Sequence, residues 1–579
     1  MLKKNLGLLT SLAVITVFLY YASYQNDPFK KKSVTIKYSS DVVGTNGMVS
    51  SASKYASQVG IDILKNGGNA IDAAVAMGFA LTVTYPQAGN IGGGGFMMIR
   101  TKDSSVTSID YREKAPAGSF RDMFLDSKGE YDPEKSQFGH LSAGVPGSVA
   151  GMLYALEKYG SMKREVILKP AIDLAENGFI LEQRFAESLS SNKKDFDKFQ
   201  STKKIFSSSK FKEGDLFVQK DLTNTLKLIS VHGRDGFYSG ITADLIEQEM
   251  KRGNGLITKD DLKNYQPIER KPLSTNYKGY EVHSMAPPSS GGVALITLLN
   301  MIEFDEIPQV NNVSAYSNYV HILIECMKRV FADRSEYLGD ADFFSVPVND
   351  LTSKRYAKER RKQINDSIVT SSKDISPGLQ TFYKESDQTT HYSVIDKDGN
   401  MVSVTTTLNN TYGSFVVVDG AGFLLNDEMD DFSSKPGVPN MYGLIGSEAN
   451  SIQPNKRMLS SMTPTIILKD KKPFMLIGSP GGGRIITTVL QVITNVIDFG
   501  LPINEAIDKP RFHHQGLPEY IQFEQGVFSP LVMSMLQSKG HFLKQVDDFG
   551  RAEGILIDWD NHNYYGHTDR RGYGAAIGY

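Results

Sequence analysis

Gln388-Thr389-Thr390-His391-Tyr392-Ser393-Val394-Ile395, then Asp396-Lys397-Asp398-Gly399-Asn400, then Met401-Val402-Ser403-Val404-Thr405-Thr406-Thr407, is the stretch on which the fold turns. β-Branched and aromatic residues fill both arms and turn formers fill the middle, so the pattern predicts a β-hairpin. With those five residues as the loop, Ile395 faces Met401, and counting outward along an antiparallel ladder sets Thr389 opposite Thr407. Two hydroxyls then meet at the open end. The pairing depends on the loop length, because a slip of one position changes every partner and face. Threonine is also an ordinary strand residue.

Upstream, residues 366–388 lose apolar periodicity and read as a mobile tether leading into the hairpin. Before it, helices are expected at 315–331, 243–252 and 221–231, and helical periodicity dominates 148–175. Residues 192–215, rich in lysine and serine with scattered phenylalanines, read as a solvated surface insert. Two further helices, 51–64 and 70–83, are separated by Gly67-Gly68, and Ala73, Ala74, Ala76 and Ala80 suit close packing. Gly92-Gly93-Gly94-Gly95 then precedes two strand-like runs, 96–99 and 106–111, which end at Arg112. An arginine at a strand end is well placed to meet a ligand. Downstream, strands at 463–468 and 474–477 lead to a helix at 484–497, with a proline-rich loop at 435–455 before them. Strands interspersed with helices on one large core indicate a layered α/β or α+β architecture.

The chain has 579 residues, 40% of them hydrophobic, enough for a large core. Lys+Arg of 63 against Asp+Glu of 65 gives a net charge of -2, which removes any bulk electrostatic case for a nucleic acid partner. Lys3 and Lys4 precede an apolar run from residue 6 to 22, the pattern of an export signal, and the run also approaches the length of a membrane anchor. The single cysteine, Cys326, excludes an intrachain disulfide and sits in an apolar run that suits a core role.

Gly478-Ser479-Pro480-Gly481-Gly482-Gly483 lies between a strand and a helix, where successive N–H groups can face one space at the positive helix end. A phosphate cradle, an oxyanion hole and a plain tight turn all fit, although the lysine and hydroxyl of a P-loop are missing. Asp430-Asp431, Ser460-Ser461 and Arg112 offer the charges that an amino acid head group needs, with arginine for a carboxylate and aspartate for an ammonium. His513-His514 and His567 lack a metal-binding spacing. Asp396-Lys397-Asp398-Gly399 lacks the later ligands of a calcium loop.

Taken together, several motifs resemble the γ-glutamyltransferase family, also called γ-glutamyltranspeptidase or glutathione hydrolase, of the N-terminal nucleophile hydrolase superfamily. They are Thr389-Thr390-His391-Tyr392-Ser393-Val394, Asn426-Asp427-Glu428-Met429-Asp430-Asp431-Phe432, Pro454-Asn455-Lys456-Arg457 leading to Ser460-Ser461-Met462, and Gly478-Ser479-Pro480-Gly481-Gly482. Gly89-Asn90-Ile91-Gly92 and Tyr111-Arg112-Glu113 extend the resemblance upstream. It implies an α+β fold, a four-layer αββα sandwich, made as one composite domain by two autoprocessed subunits. The implied organisation is an export signal or anchor at 1–24, a large subunit at 25–388 and a small subunit at 389–579. The cut falls between Gln388 and Thr389, and Thr389 becomes the nucleophile.

By the same resemblance Thr407 is a second catalytic threonine, and Gly481 and Gly482 supply oxyanion-hole amides. Arg112, Ser460 and Ser461 hold the substrate α-carboxylate. Asn409, Glu428 and Asp431 hold the α-amino group, and Tyr442 belongs to a lid loop. The implied activity is cleavage of γ-glutamyl amides such as glutathione, with transfer to water, amino acids or peptides. No cofactor or metal is implied. An acylase or poly-γ-glutamate depolymerase of the same fold, and a non-catalytic γ-glutamyl-peptide binding protein, stay open as alternatives. Glu428 stands where some bacterial members have glutamine, Gly483 replaces a residue often larger, and Asp569-Arg570-Arg571 lacks the proline of a common family pattern.

Overall fold

The computed structural model describes residues 34–207, 211–309, 312–376, 389–435 and 447–579. At its centre Thr390–Asp396 and Met401–Thr407 form the expected hairpin, with Ile395 paired to Met401 and Thr390 to Thr406. One step further out, Thr389 stands beside Thr407. The turn is fixed by Asp396, whose Oδ1 accepts the N–H groups of Asp398 at 2.9 Å and Asn400 at 3.0 Å. Gly399 supplies the left-handed φ of 81° that the turn requires.

Every residue of both strands is buried, so the hairpin has a layer on each face. In its own sheet of seven strands the order is Ala575–Gly578, Gly47–Ser51, Thr390–Asp396, Met401–Thr407, Gly94–Arg100, Val106–Asp110, Ile268–Arg270. A second seven-stranded sheet runs Val42–Gly44, Asn563–Thr568, Glu553–Asp558, Lys472–Gly478, Thr465–Lys469, Tyr280–Ser284, Leu273–Tyr277 and faces the first. Both sheets therefore combine strands from before and after position 389.

Helices Lys54–Lys65, Ala70–Thr84 and Ser148–Tyr159 cover the outer face of the hairpin sheet, and Gly291–Ile302, Arg484–Ile497 and Ile503–Asp508 cover the other. The result is the four-layer αββα sandwich. Ala70–Thr84 is buried along its whole length, where its alanines allow a close approach to the strands. Asn69 caps it in a reciprocal box with Asp72. Cys326 is fully buried in the core around the second sheet, where desolvation pushes its thiol pKa well up.

Three expectations need correction. The first helix begins at Lys54, because residues 47–51 pair with both the hairpin and the C-terminal strand. Residues 192–207 are not a solvated excursion. Helices Lys193–Phe196 and Gln200–Phe206 bury Phe196 and Phe206, and the Phe196 ring lies 4.8 Å from that of Tyr412. Ser201 and Thr202 donate to the carbonyls of Val417 at 2.8 Å and Phe415 at 2.7 Å, so their hydroxyls close an internal seam.

The tether, finally, is pinned up to residue 376. Glu325 accepts from the Thr370 N–H at 3.3 Å, Glu519 from the Ser372 N–H at 2.6 Å, and the Lys539 carbonyl from the Val369 N–H at 2.9 Å. Residues 377–388 and the N-terminal segment 1–33 lie outside the described residues.

Candidate active site

A small cleft at the open end of the hairpin is lined by Thr389, Thr407, Asn409, Arg112, Glu428, Asp431, Ser460, Ser461 and Gly482, with Met462 and Ile485. Residues from five separate stretches of sequence meet there. The Thr407 hydroxyl accepts the N–H of Asn409 at 2.8 Å, which fixes it at the strand end. Asn409 has a positive φ of 75°, a conformation asparagine tolerates better than most residues. Its side-chain amide donates to the Asp427 carbonyl at 3.1 Å, and the Thr407 carbonyl accepts from Asn90 at 2.8 Å.

Strand Lys472–Gly478 delivers the glycine turn to the same cleft, ahead of helix Arg484–Ile497. Gly481 has a φ of 129° and Gly482 one of 54°, so glycine is the residue that holds this path without strain. The Gly481 and Gly482 carbonyls accept the N–H groups of Arg484 and Ile485 at 3.0 Å each. Among the described residues neither the Gly481 nor the Gly482 N–H donates to a protein acceptor. Two unused amides beside a hydroxyl and a helix N-terminus form a receptor for developing negative charge.

Arg112 leaves the end of strand Val106–Asp110, and its buried guanidinium meets three carboxylates. It lies 2.5 Å from Glu428 and 3.5 Å from Glu113, and also ion-pairs Asp431. Burial alone would lower the arginine pKa, but Glu428, Asp431 and Glu113 together raise it. Burial raises the Glu428 carboxyl well above its usual range despite Arg112, and pushes Glu113 up to about 7. One cation thus serves three acids. Neither Glu428 oxygen, nor Glu113 Oε1, accepts an aligned hydrogen bond, so the cluster is short of donors. A buried acid in that condition is stabilised by an added cation.

Ser460 and Ser461 reach the cleft because the segment that carries them is tied to the start of helix Gly291–Ile302. The Ser460 N–H donates to the Pro288 carbonyl at 2.9 Å, and the Ser290 hydroxyl donates to the Ser460 carbonyl at 2.7 Å. Arg334, from the long helix Val313–Tyr337, donates to both Ser461 at 2.9 Å and Ser290 at 2.8 Å.

Sequence reasoning missed Arg334, Asn90, Asp427 and the part played by Glu113. Glu113 adjoins Arg112, and Asp427 lies within the acidic motif, so both had a signal. Arg334 lies deep in a helix with no local mark of function. Gln388 and Tyr442 fall outside the described residues. His513 bonds Thr487 at 2.9 Å and Gln515 at 2.7 Å, and its pKa is lowered to about 3 by burial.

The family model of γ-glutamyltranspeptidase matches residues 56–579, which include every residue lining this cleft. The chain belongs to the γ-glutamyltranspeptidase family. Among its relatives, the glutathione hydrolase proenzyme of Escherichia coli strain K12 is 49% identical over 528 residues, which cover 91% of this chain and 90% of that protein. The corresponding proenzyme of Bacillus subtilis strain 168 is 40% identical over 556 residues, 93% of this chain and 92% of that one.

Of solved structures, a cephalosporin acylase from Bacillus halodurans superposes with a TM-score of 0.83 at 29% identity, covering 95% of this chain and 99% of that chain. A chain of the Helicobacter pylori γ-glutamyltranspeptidase gives 0.55 at 45% identity, covering 61% and 98%. This γ-glutamyltranspeptidase therefore shares both the αββα architecture and the family's sequence motifs.

Proposed function

We propose that the cleft binds the γ-glutamyl group of glutathione and related amides, and that Thr389 carries it as an ester before handing it to water or an amine. The enzyme is an autoprocessed glutathione hydrolase and γ-glutamyltransferase. The observation that carries the assignment of residues is the junction, in one buried cleft, of a threonine pair, two unused glycine amides and an acid cluster short of one cation.

Maturation cuts the bond from Gln388 to Thr389, leaving a large chain that ends at 388 and a small chain that begins at 389. Only then does Thr389 own a base. As an amide its nitrogen holds no available lone pair, whereas a free α-amine, with an ordinary pKa of about 7.7 to 8.0, takes the hydroxyl proton. The oxygen attacks the γ-carbonyl, and negative charge gathers on the carbonyl oxygen against the Gly481 and Gly482 N–H groups. The amine leaves with the proton. Thr407 holds the attacking hydroxyl in line.

The head group explains the rest. Its α-carboxylate takes Arg112, Ser460 and Ser461, and its ammonium takes Asn409, Glu428 and Asp431, so a zwitterion inserts into the existing ion pair and supplies the missing cation. Tyr442 takes the role of screening the ester from water. The basic and apolar start of the chain supports export. Among the described residues no helix is long and apolar enough to cross a membrane.

The test joins turnover to processing. Purified enzyme should release cysteinylglycine from glutathione and give two chains by mass spectrometry, the smaller starting at Thr389. Thr389→Ala should remain one inactive chain. A glutaryl amide, which lacks the ammonium, should be a poor substrate. Full activity from an uncut wild-type chain would overturn the mechanism.

A further inference from the structure

Arg112 meets Glu113, Glu428 and Asp431 at one side of the cleft, so the cation assigned to the substrate α-carboxylate is already shared among three acids. A carboxylate brought there meets like charge. Ser460 and Ser461 line the same cleft with hydroxyls, and what stands behind the two serines decides how well they donate.

Arg334 stands behind them. It lies in the last turn of helix Val313–Tyr337 and, unlike most arginines, is turned inward, with 3% of its surface exposed. Its Nε donates to Ser290 Oγ at 2.8 Å and its Nη2 to Ser461 Oγ at 2.9 Å. An arginine nitrogen can only donate, so both serine oxygens accept in these bonds and their own hydrogens serve other directions. Ser290 gives its hydrogen to the Ser460 carbonyl at 2.7 Å. Ser461 is then the donor in the 3.3 Å contact between the two hydroxyls, and a substrate carboxylate is a stronger acceptor than that distant oxygen. A cation on the oxygen also polarises the O–H bond, which strengthens its donation.

The serine segment is held against this seat. The Ser290 N–H donates to the Ser460 carbonyl at 2.6 Å, and the Ser289 hydroxyl to the Met462 carbonyl at 2.6 Å. A Cβ on Gly291 would stand 2.3 Å from Thr463 Oγ1 and 2.6 Å from the Met462 carbonyl oxygen, so helix Gly291–Ile302 starts flush against the segment.

We infer that Arg334 is the positioning residue for the substrate α-carboxylate, holding Ser461 as a donor into the cleft and, through Ser290, fixing the backbone that presents Ser460. The inference rests on the γ-glutamyl reading of the cleft. It makes recognition of the carboxylate depend on a second guanidinium that reaches the substrate only through a hydroxyl.

The experiment uses glutamate and γ-aminobutyrate, which differ only in the α-carboxylate, as competitive inhibitors of γ-glutamyl anilide hydrolysis by the processed enzyme. Wild type should prefer glutamate. Arg334→Met should lower that preference about tenfold, the worth of one charge-assisted hydrogen bond, and Arg334→Lys should recover part of it. A loss of packing alone would weaken both inhibitors alike. In a Ser461→Ala background Arg334→Met should have little further effect, because the two act through one hydroxyl. If Arg334→Met fails to mature, Ser290→Ala, which removes one of the two oxygens that hold the guanidinium, should lower the same preference several-fold.

An unchanged preference in the matured variants, or losses from Arg334→Met and Ser461→Ala that simply add, overturns the inference and leaves the γ-glutamyl reading standing. Failure of wild type to hydrolyse the anilide, or to prefer glutamate, overturns that reading and the inference with it.

Discussion

At the scale of single residues the decisive group is Arg112, one guanidinium amid Glu113, Glu428 and Asp431. Lysine keeps the charge there and loses the planar fork, so Arg112→Lys should raise donor KM by about 10- to 100-fold, the worth of one charge-assisted hydrogen bond. Steady-state kinetics on a γ-glutamyl anilide measures it. Glu113 gives a pH signature. Its carboxyl is pushed up to about 7, chiefly by burial, so below that pH it is neutral and adds less negative charge to the Glu428 and Asp431 pair that is proposed to take the substrate ammonium. The ammonium favours the ionised form, binding expels a proton, and donor affinity rises with pH. Donor KM should fall between pH 6 and 8, by at most about tenfold per unit, the limit for one proton. Glu113→Gln should flatten that profile, and a KM that stays pH-dependent in the variant would exclude Glu113 as its source.

At the scale of elements, the hairpin and the helix Arg484–Ile497 were legible because period and turn chemistry are local. The ladder from Ile395 to Thr390 follows from one loop length, so the meeting of Thr389 and Thr407 was legible too. Residues 192–207 were not. Their lysines point outward and their phenylalanines inward, but the partner surface around Tyr412 and Phe415 comes from far along the chain. Composition cannot announce such a partner. Phe206→Ala should cost about 3 to 5 kcal/mol in urea unfolding, as for a buried aromatic, against less than about 0.5 kcal/mol for a solvated loop residue. Arg334 escaped notice for a related reason, since its contacts with Ser290 and Ser461 join three elements that have no local pattern in common.

At the scale of the whole molecule, the mixing of strands from either side of position 389 sets how the enzyme would come apart after the proposed cut. Neither of the two chains so made would own a complete sheet, and each alone would expose unpaired strand edges. The uncut precursor regains its fold within one chain, whereas the mature pair must first find each other. Recovery from urea should therefore slow on dilution for the processed enzyme and be independent of concentration for Thr389→Ala. Equal behaviour of the two would contradict the interleaved architecture.

Cys326 is the sole thiol in the sequence, and it is sealed in the core. The molecule is thus already a blank background for site-directed labelling. A cysteine introduced at the exposed Asp547, on the wall of an open surface hollow of about 780 Å³, would be the one thiol open to a maleimide dye. A dye there turns entry into the hollow into an optical signal, obtained without first stripping any native residue from the protein.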